Sequence, residues 1–122
     1  MPVQAKNSVG QHGEKLAADY LMKHGYIIVT TNWHCKYGEI DIVAQKDNLL
    51  VFIEVKTRRA DTTEGAFESV TQRKQKRLTA AVQTYLAAQE QETADWRVDV
   101  IGIAIPRYGT PVIEHAEDAL GW

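Results

Sequence analysis

Three carboxylates and one lysine lie inside two of the most apolar runs of the chain, GEIDIVA and LLVFIEVK. They are Glu39, Asp41, Glu54 and Lys56. Charges in such runs are costly unless another group pairs with them or an ion binds them. Carboxylate oxygens are the ligands that Mg²⁺ and Mn²⁺ prefer, and a nearby lysine can stabilise negative charge that develops on a phosphate. The residue types therefore indicate a metal site suited to phosphodiester hydrolysis.

The spacing of these residues predicts how they meet. Asp47 and Asn48 favour a two-residue hairpin turn, which sets the pairing of the strands on either side. The expected pairs are Lys46 with Leu49, Ala44 with Val51, Asp41 with Glu54, and Glu39 with Lys56. The Cβ atoms of opposite residues lie roughly 4.5–5.5 Å apart, so like charges at Asp41 and Glu54 are destabilising. A cation between the two carboxylates would remove this repulsion.

Alternation of side chains along the strands assigns each residue to one face of the hairpin. One face is predicted to be wholly apolar and to carry Ile40, Ile42, Ala44, Val51, Ile53 and Val55. The other face carries Val43 and Phe52 near the turn, and then the four charged residues. On that face, Glu39 is interpreted either as a neighbour of the metal site or as the salt-bridge partner of Lys56.

The composition is that of an ordinary globular protein of about one domain. The chain has 122 residues, of which 44% are hydrophobic and 25% charged, and its net charge is −2. The single cysteine, Cys35, excludes an internal disulfide and a cysteine-built zinc site. No apolar run approaches the roughly 20 residues that cross a bilayer, and the N-terminus lacks the apolar core of a signal peptide. We therefore expect one cytoplasmic domain over residues 1–122.

Positive charge is concentrated between residues 56 and 77, which contain seven Lys/Arg and three acids. Five of these cations are candidates for phosphate contacts: Arg58, Arg59, Arg73, Lys74 and Arg77. Local positive charge can steer a polyanion to a molecule that is slightly negative overall, although a solvated basic helix face explains the same charges. Phosphate contacts position a duplex without reading its bases, so recognition by structure rather than by sequence is expected.

The chain is predicted to combine helices and strands without a repeat or a linker. The expected elements are a helix over 8–24, a strand over 26–32, the hairpin, a polar loop over 57–69, a helix over 71–89, a strand over 96–105, and a last short strand with a turn of helix. This order indicates a mixed α/β or α+β domain.

Glu14 lies on the flank of the apolar stripe of the first helix, and Lys74 lies on the core-facing stripe of the second. Lys74 is interpreted equally as a cation that reaches the metal site and as a lysine whose methylenes cover apolar surface.

Three other polar positions carry weaker signals. The pair His34 and Cys35 is interpreted as loop packing before the hairpin. Asp99, inside the strand RVDVIGI, either shapes the site or caps a neighbouring element. His115 has no partner at a spacing that would indicate a metal or catalytic site.

The two motif strands also carry a recognisable pattern. GEIDIVA followed by LVFIEVKTR, with Asp41 thirteen residues before Glu54, resembles the PD-(D/E)xK nuclease superfamily. Over nearly its whole length the chain resembles the YraN-like family of small bacterial proteins, which are similar to archaeal Holliday-junction resolvases. The other matching segments are GEKLAADYLMKHGY, AFESVTQRKQKRLTAAVQTYL and WRVDVIGI. In one departure, Ile40 precedes Asp41 where the superfamily has its name-giving proline.

The resemblance implies a restriction-endonuclease-like fold, in which helices flank a central mixed β-sheet. The catalytic core that it implies is Asp41, Glu54 and Lys56. It implies that Glu14 joins the two other carboxylates at a Mg²⁺ or Mn²⁺ ion, and it favours Gln72 or Lys74 as a supporting residue near the catalytic centre. The expected activity is hydrolysis of DNA, with branched DNA as the best candidate substrate and a homodimer as the form that would resolve a four-way junction.

Two other functions fit the same residues. A non-catalytic module that binds nucleic acid or a protein partner would keep the fold and its acidic face. Hydrolysis of RNA or of a nucleotide would use the same carboxylates with a different groove. Metal binding that is abolished by Asp41→Asn, in a variant that still folds, would favour an enzyme.

Overall fold

The described residues, 8–67 and 70–119 of a computed structural model, form two helices and five strands. The elements are α1 (Ser8–Lys23), β1 (Ile27–Cys35), β2 (Gly38–Lys46), β3 (Leu49–Arg59), α2 (Gln72–Ala88), β4 (Asp95–Ile105) and β5 (Val112–Ala116). Their order is the predicted one, although β3 continues past Thr57, where a loop is predicted. Residues 117–118 form a turn after β5, and the rest of the predicted final helical turn lies outside the described residues. Neither helix in these ranges is long and apolar enough to cross a membrane.

All five strands belong to one sheet in the order β1-β2-β3-β4-β5. Neighbouring strands are antiparallel except β3 and β4, which are parallel. Parallel neighbours need a crossover connection, and α2 provides it. The predicted α/β fold, a central mixed sheet flanked by helices, is therefore confirmed.

Each helix covers one face of the sheet with its own apolar cluster. The cluster under α1 includes Ala17, Leu21, Ile42, Ile53 and Ile101. The cluster under α2 includes Phe52, Leu78, Val82, Tyr85 and Val98. Strands β2, β3 and β4 contribute to both clusters, so the parallel pair β3 and β4 is covered on both faces, as parallel strands usually are. The strand that carries Glu54 and Lys56 is thus held rigidly in the middle of the sheet.

The predicted register of the hairpin is confirmed where the pairing is regular. On either side of the turn at 47–48, β2 and β3 pair from Lys46 with Leu49 to Ile42 with Ile53. Regular pairing ends there, one residue before the predicted pair of Asp41 with Glu54. Contacts of the side chains themselves therefore hold these two carboxyl groups in place.

One predicted side-chain orientation is wrong. Alternation predicts Ile40 on the same face as Ile42, but Ile40 packs in the cluster under α2 whereas Ile42 packs under α1. The alternation breaks between them, opposite Asn32, whose φ of 53° is left-handed. A non-glycine residue in this conformation interrupts the regular pleat of a strand. The break lets Asp41 turn towards Glu14 of α1.

Candidate metal site and its basic recess

Asp41 lies at the centre of the candidate site. Its Oδ2 accepts a hydrogen bond of 2.8 Å from the Val55 N–H, so the side chain binds the backbone of β3 beyond the last regular strand pair. Its carboxyl also lies close enough to that of Glu54 for their charges to interact, and for a hydrogen bond between them when one of the two is protonated. Both side chains are half-buried. Asp41 and Glu54 are therefore neighbours, as the hairpin register predicts.

The surroundings of Asp41 oppose its negative charge. Burial, the charge of Glu54 and the hydrogen bond with Glu54, in that order, raise the pKa of Asp41 to about 9 from an ordinary 3.8. The Val55 N–H lowers this pKa, while the charge of Glu14 raises it further. A carboxylate in such surroundings is stabilised by a proton or by a cation. The arrangement has the electrostatic character of a metal site.

An acidic group that could hold a metal ion surrounds Asp41 on the α1 side. One carboxylate oxygen from each of Glu14, Glu39 and Asp41 lies within 4.8 Å of the others. The side-chain amide of Asn32 donates to both Glu14 Oε1 and Glu39 Oε2, each at 3.0 Å. His34 Nε2 lies 2.7 Å from Glu39 Oε1. Glu39 therefore belongs to the acidic group, and Asn32 and His34 hold its side chain in position.

Tight packing between α1 and β3 sets the position of Glu14. A Cβ atom at Gly13 would lie 1.8 Å from Thr57 Oγ1 and 2.7 Å from Thr57 Cβ. Only glycine permits this approach, because any side chain at this position would overlap Thr57. Gly13 directly precedes Glu14, and Thr57 directly follows Lys56. The contact therefore fixes the distance between the helix acid and the strand that bears the site.

Lys56 is held beside the carboxylates by an ion pair. Its Nζ lies 3.2 Å from Glu54 Oε2, and the two side chains are only 23% and 21% exposed. Lys56 is therefore paired with Glu54 on its own strand, and not with Glu39, which is one of the two interpretations of the sequence. The predicted projection of Glu54 and Lys56 from the same face of the strand is what makes this pairing possible.

A recess of about 260 Å³ opens between this part of β3 and α2. The side chains of Tyr37, Glu39, Glu54, Lys56, Lys74 and Arg77 line it. Two of the predicted phosphate contacts, Lys74 and Arg77, therefore lie next to the carboxylates. Within residues 8–67 and 70–119, neither of these two cations forms an ion pair.

The other predicted nucleic-acid contacts are more scattered. Arg73 is exposed in the first turn of α2, outside the recess. Gln72, predicted as a supporting residue near the catalytic centre, is exposed beside it and does not line the recess either. Arg58 is exposed, and its Nη1 donates to the backbone carbonyl of Glu64 at 3.0 Å. Arg59 lines a second cavity of about 430 Å³, which Ile105 also lines. The structure thus brings two of the five candidate cations to the carboxylates.

Two residues that hold the acidic group were not identified from the sequence. The sequence predicts that His34 packs in a loop with Cys35, but His34 binds Glu39, while Cys35 packs against the cluster under α2. One feature of the sequence points to an unusual backbone conformation at Asn32. Asparagine is depleted in strands such as IIVTTNW, and it tolerates left-handed φ.

Asp99 belongs to a second cluster of charged groups. It is fully buried, and it accepts hydrogen bonds from Arg97 Nε at 2.8 Å and from Arg97 Nη2 at 2.9 Å. His115 Nε2 lies 2.7 Å from its Oδ2, and the Asp118 N–H donates to its Oδ1 at 3.0 Å. Burial raises the pKa of Asp99, but the hydrogen bonds from His115 and Arg97 outweigh it and hold the pKa below its ordinary value. Asp99 therefore ties β4 to β5 and the following turn, and His115 has a partner that its spacing does not reveal.

The sequence profile of the "Uncharacterised protein family UPF0102" matches residues 13–103. This chain belongs to the UPF0102 family. A UPF0102 protein of Herpetosiphon aurantiacus is 42% identical over 114 residues, which cover 90% of this chain and 91% of that protein. A UPF0102 protein of Mycobacterium avium is 42% identical over 111 residues, which cover 89% and 87%. The predicted membership in the YraN-like family is confirmed.

The UPF0102 match contains every predicted site residue, from Glu14 to Arg77, and it ends within β4. Strand β5, which carries His115 of the second cluster, lies beyond the match. Among solved structures, that of Pyrococcus furiosus SfsA in complex with Ca²⁺ matches with a TM-score of 0.37 and 11% identity. That match covers 88% of this chain and 62% of SfsA, which is less than two thirds of its length.

Proposed function

We propose that this UPF0102 protein is a metal-dependent nuclease that hydrolyses phosphodiester bonds in DNA, with branched DNA as its preferred substrate. One observation carries the proposal: Asp41 is held among other carboxylates with a raised pKa, and Lys56 lies beside them. Membership in a family that resembles the PD-(D/E)xK nucleases is consistent with this function.

The donor set fits a hard divalent cation. Asp41 offers a carboxylate next to those of Glu14 and Glu54, and oxygen ligands of this kind suit Mg²⁺ or Mn²⁺. We assign these three residues as the ligands and Glu39 as a supporting residue, because Asn32 and His34 already engage both of its oxygens. When bound, the ion would lower the pKa of a ligated water and neutralise phosphate oxygens.

The residues of the chain itself supply positioning and charge. The Val55 N–H orients the Asp41 carboxylate, and the ion pair with Glu54 holds the Lys56 ammonium next to the place where the scissile phosphate would lie. An ammonium in a half-buried site stabilises the negative charge that develops on the phosphate during hydrolysis. Lys74 and Arg77 would hold neighbouring phosphates, and the more distant cations Arg58, Arg59 and Arg73 would contact the duplex further along its backbone.

A cleavage assay tests the proposal. Labelled linear, flapped and four-way-junction DNA would be incubated with the purified protein in Mg²⁺ and in Mn²⁺. We expect cleavage that requires the metal, prefers branched DNA, and is lost in Lys56→Ala and Asp41→Asn. Uncut DNA with both metals and all substrates, from a protein that is folded by circular dichroism, would contradict nuclease activity.

A second candidate function is a non-catalytic module that binds nucleic acid or a protein partner. The observation that favours it is that Lys56 already neutralises Glu54, and that Asn32 and His34 already bond Glu14 and Glu39. Such a module would bind DNA through Lys74 and Arg77 with the same affinity in Asp41→Asn as in the unaltered protein. Metal-dependent cleavage by the unaltered protein would exclude it.

Symmetric cleavage of a four-way junction needs two sites related by symmetry, so we further propose that the active form is a cytoplasmic homodimer. Light scattering of the protein bound to a junction would give the number of chains. A single chain per junction would contradict this part of the proposal.

A further inference from the structure

We propose that the recess between β3 and α2 binds one unpaired nucleotide of the DNA substrate, with its base against Tyr37 and its phosphate on Lys74 and Arg77. This inference rests on the proposed nuclease function. The preferred substrate is then DNA with an unpaired nucleotide next to the cleaved bond, such as a flap or a splayed arm. Fully paired DNA would be a poorer substrate.

Tyr37 forms an aromatic wall of the recess. It lies in the turn between β1 and β2, it is 39% exposed, and its side chain lines the recess. The Lys36 ammonium lies 5.2 Å from the centre of the Tyr37 ring. Exposed aromatic rings next to cations are the surfaces on which unpaired bases stack, because every base has a π-face. The ring and its lysine therefore offer a place for a base of any identity.

The α2 side of the recess carries positive charge. Lys74 and Arg77 are three residues apart in α2 and thus lie on the same side of the helix. They form no ion pair within the part of the chain that the structure describes, so both heads are available to an anion. Leu78 and Ala81 give the recess an apolar floor, because both are buried. Two cations, an aromatic ring and apolar side chains that line one recess match the phosphate, base and sugar of one nucleotide.

A nucleotide in a regular duplex cannot use this recess fully. A paired base is stacked on both faces and presents only its edges in the grooves, so its face cannot contact a protein ring. A cavity of about 260 Å³ accepts one nucleotide but not a base pair with its two backbones. Duplex DNA can therefore contact Lys74 and Arg77 through phosphates but leaves Tyr37 unused. Because Glu54 and Lys56 line the same recess, the bound nucleotide would lie directly beside the cleaved bond.

Fluorescence anisotropy in buffer with EDTA tests this inference without cleavage. The labelled probes are a single strand, a flapped duplex and a blunt duplex of the same sequence. Base–aromatic stacking predicts that Tyr37→Ala weakens binding of the single strand and the flap by about 5-fold or more. Binding of the blunt duplex should stay unchanged, and Tyr37→Phe should retain wild-type affinity for all three probes. Lys74→Ala should weaken all three, because phosphates are common to them.

Tyr108→Ala is the matched control. Tyr108 is 83% exposed and has Arg107 5.9 Å from its ring, so it is also an exposed tyrosine next to a cation, but it lies outside the recess. We expect this variant to bind all three probes as the unaltered protein does. If Tyr37→Ala weakens all probes equally or none of them, or if Tyr108→Ala has the same effect, the inference is overturned.

The outcomes separate this inference from the proposed function. A loss confined to unpaired DNA in Tyr37→Ala, together with no cleavage in Mg²⁺ or Mn²⁺, would support the recess and contradict the nuclease. Metal-dependent cleavage of flapped DNA that is the same in Tyr37→Ala as in the unaltered protein would support the nuclease and contradict the recess.

Discussion

Two aspartates in the same sheet, Asp41 on β2 and Asp99 on β4, have opposite surroundings. Asp99 is the more deeply buried, yet Arg97, His115 and a backbone N–H engage its oxygens and its pKa is lowered. Asp41 has one backbone N–H, but its charged neighbours are carboxylates and its pKa is raised. Positive charge and hydrogen-bond donors thus surround the carboxylate of Asp99, whereas that of Asp41 lies mainly among negative charges.

This difference shows that burial alone does not identify a functional carboxylate. Burial disfavours the charge of both aspartates, and the partners decide the direction of each pKa shift. A carboxylate with complementary partners stabilises the fold, whereas one held among like charges has been placed there at a cost to stability. Groups of the second kind are candidates for binding a cation or for catalysis.

The largest expected effect comes from neutralising the two aspartates in parallel. Asp99→Asn should lower the free energy of unfolding by about 3–5 kcal/mol, because it leaves the Arg97 charge without its buried partner. Asp41→Asn, the matched variant, should leave stability unchanged or raise it in metal-free buffer, because it removes a carboxyl group that must take up a proton when the protein folds. Urea unfolding of both variants measures the difference. Equal destabilisation by the two substitutions would show that the surroundings of Asp41 and Asp99 do not differ in their effect on stability.

The next largest effect is expected at the contact between α1 and β3. Gly13→Ala should cost about 1–3 kcal/mol, because its Cβ overlaps Thr57 and the helix must shift. It should also weaken Mn²⁺ binding, since Glu14 moves with the helix. Adding Thr57→Ala removes two of the three nearest atoms and should recover part of the lost stability. Unchanged Mn²⁺ affinity in Gly13→Ala, in a protein that has lost stability, would show that Glu14 does not contribute to metal binding.

A smaller effect is expected at Asn32, which joins two carboxylates of the acidic group. Asn32→Ala should cost about 1–2 kcal/mol in left-handed strain, whereas Asn32→Gly adopts the φ of 53° freely. Both variants lose the amide that bridges Glu14 and Glu39, so both should bind Mn²⁺ more weakly. Urea unfolding of the two variants measures the cost of the backbone conformation, and Mn²⁺ titration measures the effect of losing the bridging amide. Equal stability of the Ala and Gly variants would contradict the role of the backbone conformation.

A further difference is expected in the pH dependence of stability. Because the pKa of Asp41 is raised, the folded protein holds a proton that the unfolded chain lacks between pH 3.8 and about 9. The free energy of unfolding should therefore fall as pH rises through this window in metal-free buffer. Asp99 has the opposite sign: its stabilisation is present above its ordinary pKa of 3.8 and is lost as pH falls through its lowered pKa.

Asp41→Asn is the control for this pH dependence. From about pH 5 to about pH 8 the variant should gain stability relative to the unaltered protein, because it lacks the titrating group. Urea unfolding at several pH values gives the slope of the free energy of unfolding against pH for the variant and for the unaltered protein. Identical slopes would mean that the pKa of Asp41 is not raised in the folded protein.

The sequence allowed the hairpin register and the Asp41–Glu54 neighbourhood to be predicted, because a two-residue turn and a strand period of two determine the pairing. Both helices were predictable from their apolar stripes. The same periodicity placed Ile40 on the wrong face, because the left-handed residue that breaks the alternation lies on the neighbouring strand. The role of Asn32 and the partner of His115 depend on contacts between elements distant in sequence, 18 residues apart for Glu14 and Asn32 and 16 for Asp99 and His115. No local pattern reports such contacts.

Isothermal titration calorimetry with Mn²⁺ measures whether the carboxylates around Asp41 hold a divalent cation. The unaltered protein, Asp41→Asn and Glu117→Gln would be titrated in the same buffer; Glu117 pairs with Arg97 in the second cluster and serves as the control. We predict that the unaltered protein and Glu117→Gln bind Mn²⁺ with the same affinity and that Asp41→Asn does not bind it. Mn²⁺ binding that persists in Asp41→Asn, or no binding by the folded unaltered protein, would contradict a cation site at these carboxylates.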